Sequence, residues 1–431
     1  MTVFAEDYAA RCYWHDDVQM PSGAGLEALP SRVDVLIVGS GYTGLAAARE
    51  TALAGLSTLV IDAGPVAGGC SSRNGGQVAF SFKPDHASLV ARCGREVADG
   101  IYREGLHANA ALAAMATEEG LQFDWRQNGG FLGAHSTRHF RQLVSAFAAQ
   151  RPEFAEPYEV IPRHRLAEVV ESPLYYGGVV VRCDASVHPA QLARVLYDRA
   201  VSAGAVVIGH CTAQAIRRTP EGFLLTTPQA QIKASKVLLA TNGYTDGLSP
   251  WHHRRIMPVG SYIVATEPLD PELVRRIIPQ GGNVCDTRRV VVYVRPSPDG
   301  RRILFGGRAS AAETDVTRCV PVMHSMMREM FPALAKVRIS HAWMGFVGFT
   351  FDQMMHLGET AGLHYCMGYC GQGVPLATYY GRHVGRRMAG VESEPSALEG
   401  LGFPARPYYR GTPWFLPLAV RAYRAMDWLK L

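Results

Sequence analysis

The sequence predicts an α/β fold in two parts, one built on a strand–helix–strand unit and one rich in β-strand. Three observations carry this. Val33 to Ala63 reads VDVLIVGSGYTGLAAARETALAGLSTLVIDA, a strand, a glycine turn, a helix and a second strand. Residues 85–176 then change in composition and hold no nucleotide motif. Residues 256–340 supply a run of strands that suits the sheet of a second domain.

The first unit is the most informative. Val35 to Val38 is a short apolar run and reads as a buried strand, with Gly39-Ser40-Gly41-Tyr42-Thr43-Gly44 directly after it. Leu45 to Ala54 is small or apolar and helix-compatible, Gly55 stops the helix, and Ser57 to Ile61 is a strand ending on Asp62 and Ala63. Gly-x-Gly-x-x-Gly between strand and helix, with an acid about twenty residues on, is the dinucleotide-binding fingerprint of a Rossmann-like domain. Gly39 permits the tight turn, Gly41 lets a pyrophosphate approach the backbone, and Gly44 lets the helix pack against the sheet. The helix N-terminus presents free N–H groups to the phosphates. Asp62 can accept from a ribose diol, which favours NAD or FAD over NADP.

The next stretch, AGPVAGGCSSRNGGQ, is too rich in glycine for a regular element. Ser71, Ser72, Arg73, Asn74 and Gln77 supply donors around Gly75 and Gly76, so the loop is suited to wrap phosphates and reach a flavin ring. Leu106 to Glu119 and His139 to Ala149 have helical spacing, and Gln127 to Gly133 is a turn into a strand; this stretch is assigned to a substrate-facing domain. From 187 to 216 alternating β and α return: a helix from His188-Pro189, then strands around Cys211–Ala213. Lys236 to Ala240 is a buried strand ending in Thr241-Asn242-Gly243, small residues that suit a chain passing beneath a nucleotide. Pro258 to Glu267, Val290 to Arg295 and Arg302 to Gly307 are strands, with a Ser297-Pro298-Asp299-Gly300 turn, and Met323 to Phe331 is a helix. His364 to Met367 is a strand, Gly368 to Gly373 a second glycine turn, and Val374 to Met388 a helix whose N-terminus can stabilise negative charge on a reduced flavin. Two glycine turns suit one long cofactor gripped at both ends, FAD over NAD.

Composition excludes several classes. With 431 residues, two or three domains are expected. A net charge of +5 without a dense Lys/Arg block argues against a nucleic-acid partner. Nine scattered cysteines without a paired Cys-x-x-Cys pattern read as free thiols, so no metal site and a cytoplasmic location are expected. The acids in MTVFAEDYAARCYW exclude a secretory signal. No apolar run reaches ~18 residues, so no transmembrane helix is expected. Residues 1–30, with Tyr8, Tyr13 and Trp14, are expected to pack as a tail on the first domain. Residues 405–431 carry Trp414, Phe415, Leu416 and Trp428 with Arg421, Arg424 and Lys430. They read as a tail docked on the protein or at a subunit contact, with peripheral membrane contact through an amphipathic helix as the alternative.

These motifs resemble the D-amino-acid-oxidase-type FAD-dependent oxidoreductases, in the branch that includes gamma-glutamylputrescine oxidoreductase. The resemblance rests on Gly39 to Gly44, Asp62, SSRNGGQ at Ser71–Gln77, ATNGY at Ala240–Tyr244 and PVGSYIVATEPL at Pro258–Leu269. It extends to Thr350-x-Asp352, His356-Leu357-Gly358, Gly371-Gln372-Gly373-Val374 and the RGTPWFLP tail. It implies a discontinuous FAD domain (1–84, 185–255, 341–404), an interrupted β-rich α+β substrate domain (85–184, 256–340) and a C-terminal tail (405–431). Ala213, Thr241 and Gly243 join the FAD site on this basis. The implied reaction oxidises the C–N bond of an amine or amino acid by hydride transfer to flavin N5, giving an imine that hydrolyses. Gamma-glutamylated and secondary amines are candidate substrates, and oxygen or a quinone or carrier is the electron acceptor. The alternative is a flavoprotein subunit or binding module of a larger dehydrogenase complex.

Two positions depart from the sarcosine-oxidase relatives. Their flavin-tethering cysteine falls at Gly345, so non-covalent FAD is expected, with Cys70 the one other cysteine to consider. Their oxygen-activating lysine has no counterpart in Arg302 to Arg308. Tyr262, Trp343 and Arg308 are the expected substrate contacts, Arg308 through a carboxylate. His341 and His356 are expected to be structural.

Overall fold

The computed structural model describes residues 2–79, 82–310, 313–391 and 394–430. Arg32–Val38 forms a strand whose last four residues are buried. It lies between two parallel neighbours, Thr58–Ile61 and Gln231–Leu239. A parallel strand covered on both faces has no polar side to show, which is why Val35–Val38 and Leu59-Val60-Ile61 do not alternate. The eight-stranded sheet runs Ala215–Thr219, Gly222–Thr226, Gln231–Leu239, Arg32–Val38, Thr58–Ile61, Val206–Ile208, with Leu363–Met367 and His356–Thr360 branching from Gln231–Leu239. Helix α1 (Tyr42–Leu53) leaves the glycine turn and is buried along most of its length.

The second sheet has nine strands. Their order is Phe4–Ala9, Ile339–Phe349, Met257–Thr266, Ile303–Gly307, Val292–Pro296, Asn283–Asp286, Gly130–Gly133, Gly177–Val181 and Tyr158–Pro162. Side chains alternate between its faces. On one face Tyr262, Val264, Phe305, Val294 and Val284 pack with helix α2 (Val316–Met330) in one apolar core. On the other, Ile263, Leu304 and Trp343 pack with Trp14. This second face looks toward the loop that follows Asp62. Helix α3 (Gly373–Ala389) packs along α1, and helix α4 (Leu416–Trp428) lies at the surface with only Val420 buried. All nine cysteines are free.

Three elements differ from the sequence expectation. Phe4–Ala9 joins the nine-stranded sheet beside Ile339–Phe349, so the lead-in begins as an edge strand there, and only its later part packs on the first domain, through Trp14 to Asn74 O and Ala24 N to Val207 O. Its acids Glu6 and Asp7 hide the apolar alternation, and acids on an edge strand deter further pairing. Ile339–Phe349 extends the β-rich sheet past residue 340. Helix α2 starts at Val316, where the Asp315 side chain accepts from the Thr317 N–H; Pro321 inside it reads as a breaker from sequence, so the apparent start falls after it.

Candidate functional site

The nucleotide turn is fixed by its glycines. Gly39 sits at φ +106, where a side chain is strained, and a Cβ there would lie 2.8 Å from the Ala240 carbonyl oxygen. A Cβ on Gly44 would collide with the Gly39 carbonyl oxygen. Asp62 stands at the end of the neighbouring strand. One carboxylate oxygen accepts from Ser40 N (2.8 Å) and Ser40 Oγ (2.7 Å), the other from Gly64 N (3.0 Å). Cys211 N donates to the Asp62 carbonyl at 2.7 Å, which brings Ala213 to the same end of the site.

Over the N-terminus of α1 lies the loop Cys70–Gln77. Ser71 Oγ accepts from Tyr42 N at 3.0 Å. Ser72 is buried and donates to the Ala67 carbonyl. Two indoles hold the loop's backbone: Trp14 Nε1 donates to Asn74 O (2.8 Å) and Trp343 Nε1 to Arg73 O (2.7 Å). The Tyr293 ring fills the space beside Gly75, where a Cβ would lie 2.9 Å from it. Arg295 donates to the Gly76 and Val187 carbonyls, and burial lowers its pKa to about 10. Gln77 donates to Val294 O (3.0 Å) and accepts from Cys285 Sγ (3.1 Å). The loop is therefore stapled to the nine-stranded sheet while resting on the helix of the eight-stranded one.

The second glycine turn closes the site. Cys370 and Gly371 both have positive φ, and Gln372 precedes α3. Tyr369 Oη and Thr43 Oγ1 are 2.6 Å apart, tying this turn to α1. A Cβ on Gly381 would lie 2.6 Å from Thr43 O, and one on Gly385 2.6 Å from Ala47 O, so the two helix backbones touch. Gly243 packs on Phe346 O, and Asn242 Oδ1 accepts from Gly368 N. Thr241 thus lies between the two turns. Gly39 to Gly44, Asp62 and Ala63, Ser71 to Gln77, Ala213, Thr241, Gly243 and Gly371 to Val374 come together along one cleft.

The expected substrate contacts divide. Trp343 is on the cleft side, buried and bonded to the loop. Tyr262 and Arg308 are not on that side. Tyr262 is fully buried, donates to Glu313 Oε2 and accepts from Thr314 N, both at 3.1 Å. Arg308 donates to Gly260 O (2.7 Å) and pairs with Glu313 (2.9 Å). Both contact Glu313 on the far face, so the structure does not bring them to the loop Cys70–Gln77 where Trp343 lies. A strand buried on both faces gives no alternation from which to read the facing side.

Sequence reasoning missed the polar groups that do face this cleft. Lys83 is exposed to solvent, yet burial lowers its pKa, as befits a side chain in a protein-walled space that water reaches. The Cys370 and Cys285 thiols lie near it, and its ammonium sits 5.2 Å above the Phe349 ring. Beyond Cys285 lies Asp184, pushed up to about 8 by burial and by the neighbouring Glu156. Glu156 is raised by burial too, and accepts from Cys183 Sγ at 3.0 Å. Among the described residues neither Asp184 nor Lys83 has an ion-pair partner. Glu156, Cys183 and Asp184 are the one grouping there with metal-ligand proximity; all three are shifted toward their protonated forms, which bind metal poorly. No sequence signal marked these residues, because Lys83, Glu156, Asp184 and Cys285 come from separate segments of the chain.

FAD fits this cleft on its own evidence. The Arg73 Nε is buried with no partner, Asp62 offers acceptors at the ribose end, and α1 and α3 direct their N-termini into it. Such a cradle, facing the second sheet across a cleft, defines a two-domain flavin-dependent oxidoreductase. The chain belongs to the FAD dependent oxidoreductase family (DAO), whose model matches residues 34–387. It is 31% identical over 402 residues to a probable oxidoreductase OrdL of Rhizobium meliloti, covering 91% of this chain and 92% of that one. It is 27% identical over 398 residues to gamma-glutamylputrescine oxidoreductase of Escherichia coli, covering 89% of each. Its fold is similar to that of glycine oxidase from Geobacillus kaustophilus, with a TM-score of 0.74 at 20% identity over 88% of this chain and all of that one. No described helix is long and apolar enough to cross a membrane.

Proposed function

We propose that the protein oxidises the C–N bond of an amine or amino acid whose structure includes both an ammonium and a carboxylate, with gamma-glutamylated amines the leading class. The carrying observation is the cleft between the cofactor cradle and the nine-stranded sheet, with Lys83 and Asp184 unpaired within it. When bound, the flavin supplies the hydride acceptor, taking hydride at N5 from the carbon bearing the amine to leave an imine that water hydrolyses. The chain's part is positioning. A cation arriving beside Asp184 and Glu156 opposes the burial that keeps them protonated, so the pair releases a proton and holds an ammonium group, and Lys83 holds a carboxylate. Trp343, Tyr293 and Gln77 keep the loop fixed against the sheet. The relative named gamma-glutamylputrescine oxidoreductase supports the substrate class.

FAD is bound without a covalent bond in this reading. Cys70 donates to Phe346 O at 2.7 Å, and burial pushes its thiol up to about 11, so it stays protonated and a weak nucleophile. A Cβ at Gly345 would lie 2.9 Å from this sulfur. The test is anaerobic reduction of the FAD-loaded protein by a panel of primary, secondary and gamma-glutamylated amines and amino acids. Bleaching by members carrying both charges is expected. A fully loaded flavin that none of them bleaches would overturn the proposal and favour a flavoprotein subunit. Recolouring on admission of air then separates oxygen from a quinone or carrier as the acceptor.

A further inference from the structure

Helix α4 is mounted the wrong way round for a surface helix. At 100° per residue, Leu418, Ala422, Ala425 and Leu429 fall on one stripe, with Met426 beside it. That stripe points to solvent: Leu418 is 63% exposed and Leu429 55%. Trp428 on its flank is 82% exposed, and Trp414 just before the helix 62%. Two charged groups, Arg424 and Asp427, point inward instead. Arg424 donates to the carbonyls of Arg308 (2.8 Å) and Ala309 (2.7 Å). The Asp427 carboxylate accepts from Arg289 N (2.8 Å) and Val290 N (3.0 Å). The helix is thus anchored by polar contacts and offers an apolar ridge outward, a contiguous exposure that marks an interaction surface.

We propose that this ridge docks on an anionic lipid bilayer surface. Charge selects that occupant. Residues 405–430 hold five basic side chains and one acid, and the acid, Asp427, is spent on backbone N–H groups of the protein. Arg406, Arg410, Arg421 and Lys430 are exposed in or beside the helix; Arg421 flanks the stripe, while Lys430 also donates to Tyr176 Oη at 2.9 Å and Arg406 lies over the Phe351 ring. Two exposed indoles beside cationic side chains suit the headgroup layer, where an aromatic ring has both apolar and polar neighbours. A second copy of this chain is disfavoured, because a two-fold contact would set the same cations against each other.

The test uses the FAD-loaded protein and sedimentation with phosphatidylcholine vesicles, with and without an equal share of phosphatidylglycerol. Binding to the anionic vesicles, absent with phosphatidylcholine alone and lost in high salt, is expected. Leu418→Glu and Arg421→Glu each lower the bound fraction about tenfold while leaving flavin absorbance and melting temperature unchanged. Brominated lipid quenches wild-type fluorescence more than that of Trp428→Phe. Absence of binding to the anionic vesicles, or binding that neither variant weakens, overturns the proposal. So does a lipid-free dimer, seen by light scattering, that Leu418→Glu dissociates.

Discussion

At the scale of single residues, Asp184 is the most sensitive reporter of the cleft. An unfolded aspartate titrates near about 3.9, whereas folding raises this one to about 8. Between those values the folded protein keeps a proton that the unfolded chain has released. Stability therefore falls as pH rises through this window, and the whole penalty applies above it. Denaturation of the cofactor-free protein should show lower stability at pH 8 than at pH 5, and Asp184→Asn should flatten that difference. The same variant should raise KM for substrates carrying a second ammonium, with a smaller effect on kcat. An unchanged pH slope and unchanged KM would remove Asp184 from the substrate site. Tyr262→Phe should do the reverse, costing about 1 kcal/mol of stability through its lost hydrogen bond to Glu313 and leaving KM alone. These two residues also show what a sequence can convey. Gly39, Gly44 and Asp62 were legible because a turn between a buried strand and a helix tolerates few alternatives. Tyr262 sat in a legible strand on an illegible face, and Asp184 and Lys83 acquire meaning only from elements far apart in the chain.

Among elements, the decisive contact is between the loop Cys70–Gln77 and the nine-stranded sheet. Trp343 provides it from the strand Ile339–Phe349 by donating to the Arg73 carbonyl. Trp343→Phe would retain most of the apolar contact and leave that carbonyl without its donor, at a cost of about 1–3 kcal/mol. The expected result is weaker FAD binding, read as a higher dissociation constant in a flavin-fluorescence titration. Equal affinity in variant and wild type would show that Trp14, Tyr293, Arg295 and Gln77 hold the loop without Trp343. Four strands of this sheet, Gly130–Gly133, Met257–Thr266, Val292–Pro296 and Ile303–Gly307, were readable from apolar runs and turn residues. The edge strand Phe4–Ala9 was not, since half of its signal is acidic and its partner lies more than three hundred residues away.

For the molecule as a whole, the cleft is a joint between two sheets, and this fixes how the cofactor should couple to stability. The Gly39 turn and Asp62 come from one sheet, while Trp343 and Tyr293 come from the other. A ligand gripping the turn and the loop together binds only the folded arrangement. For such a ligand, stability grows with its free concentration, by about 2.7 kcal/mol at a hundredfold excess over the dissociation constant. The melting temperature should therefore climb steadily with added FAD, and acid precipitation should leave all flavin in the supernatant. Covalent attachment predicts the opposite on both counts, a melting temperature indifferent to added FAD and flavin retained in the pellet. Cys70→Ser discriminates further. With Cys70 serving only as a buried donor to Phe346 O, the serine variant can keep that bond and should load FAD to the same extent as wild type. A variant that loads normally yet loses pellet-bound flavin would instead identify Cys70 as a tether, despite a thiol that burial keeps protonated.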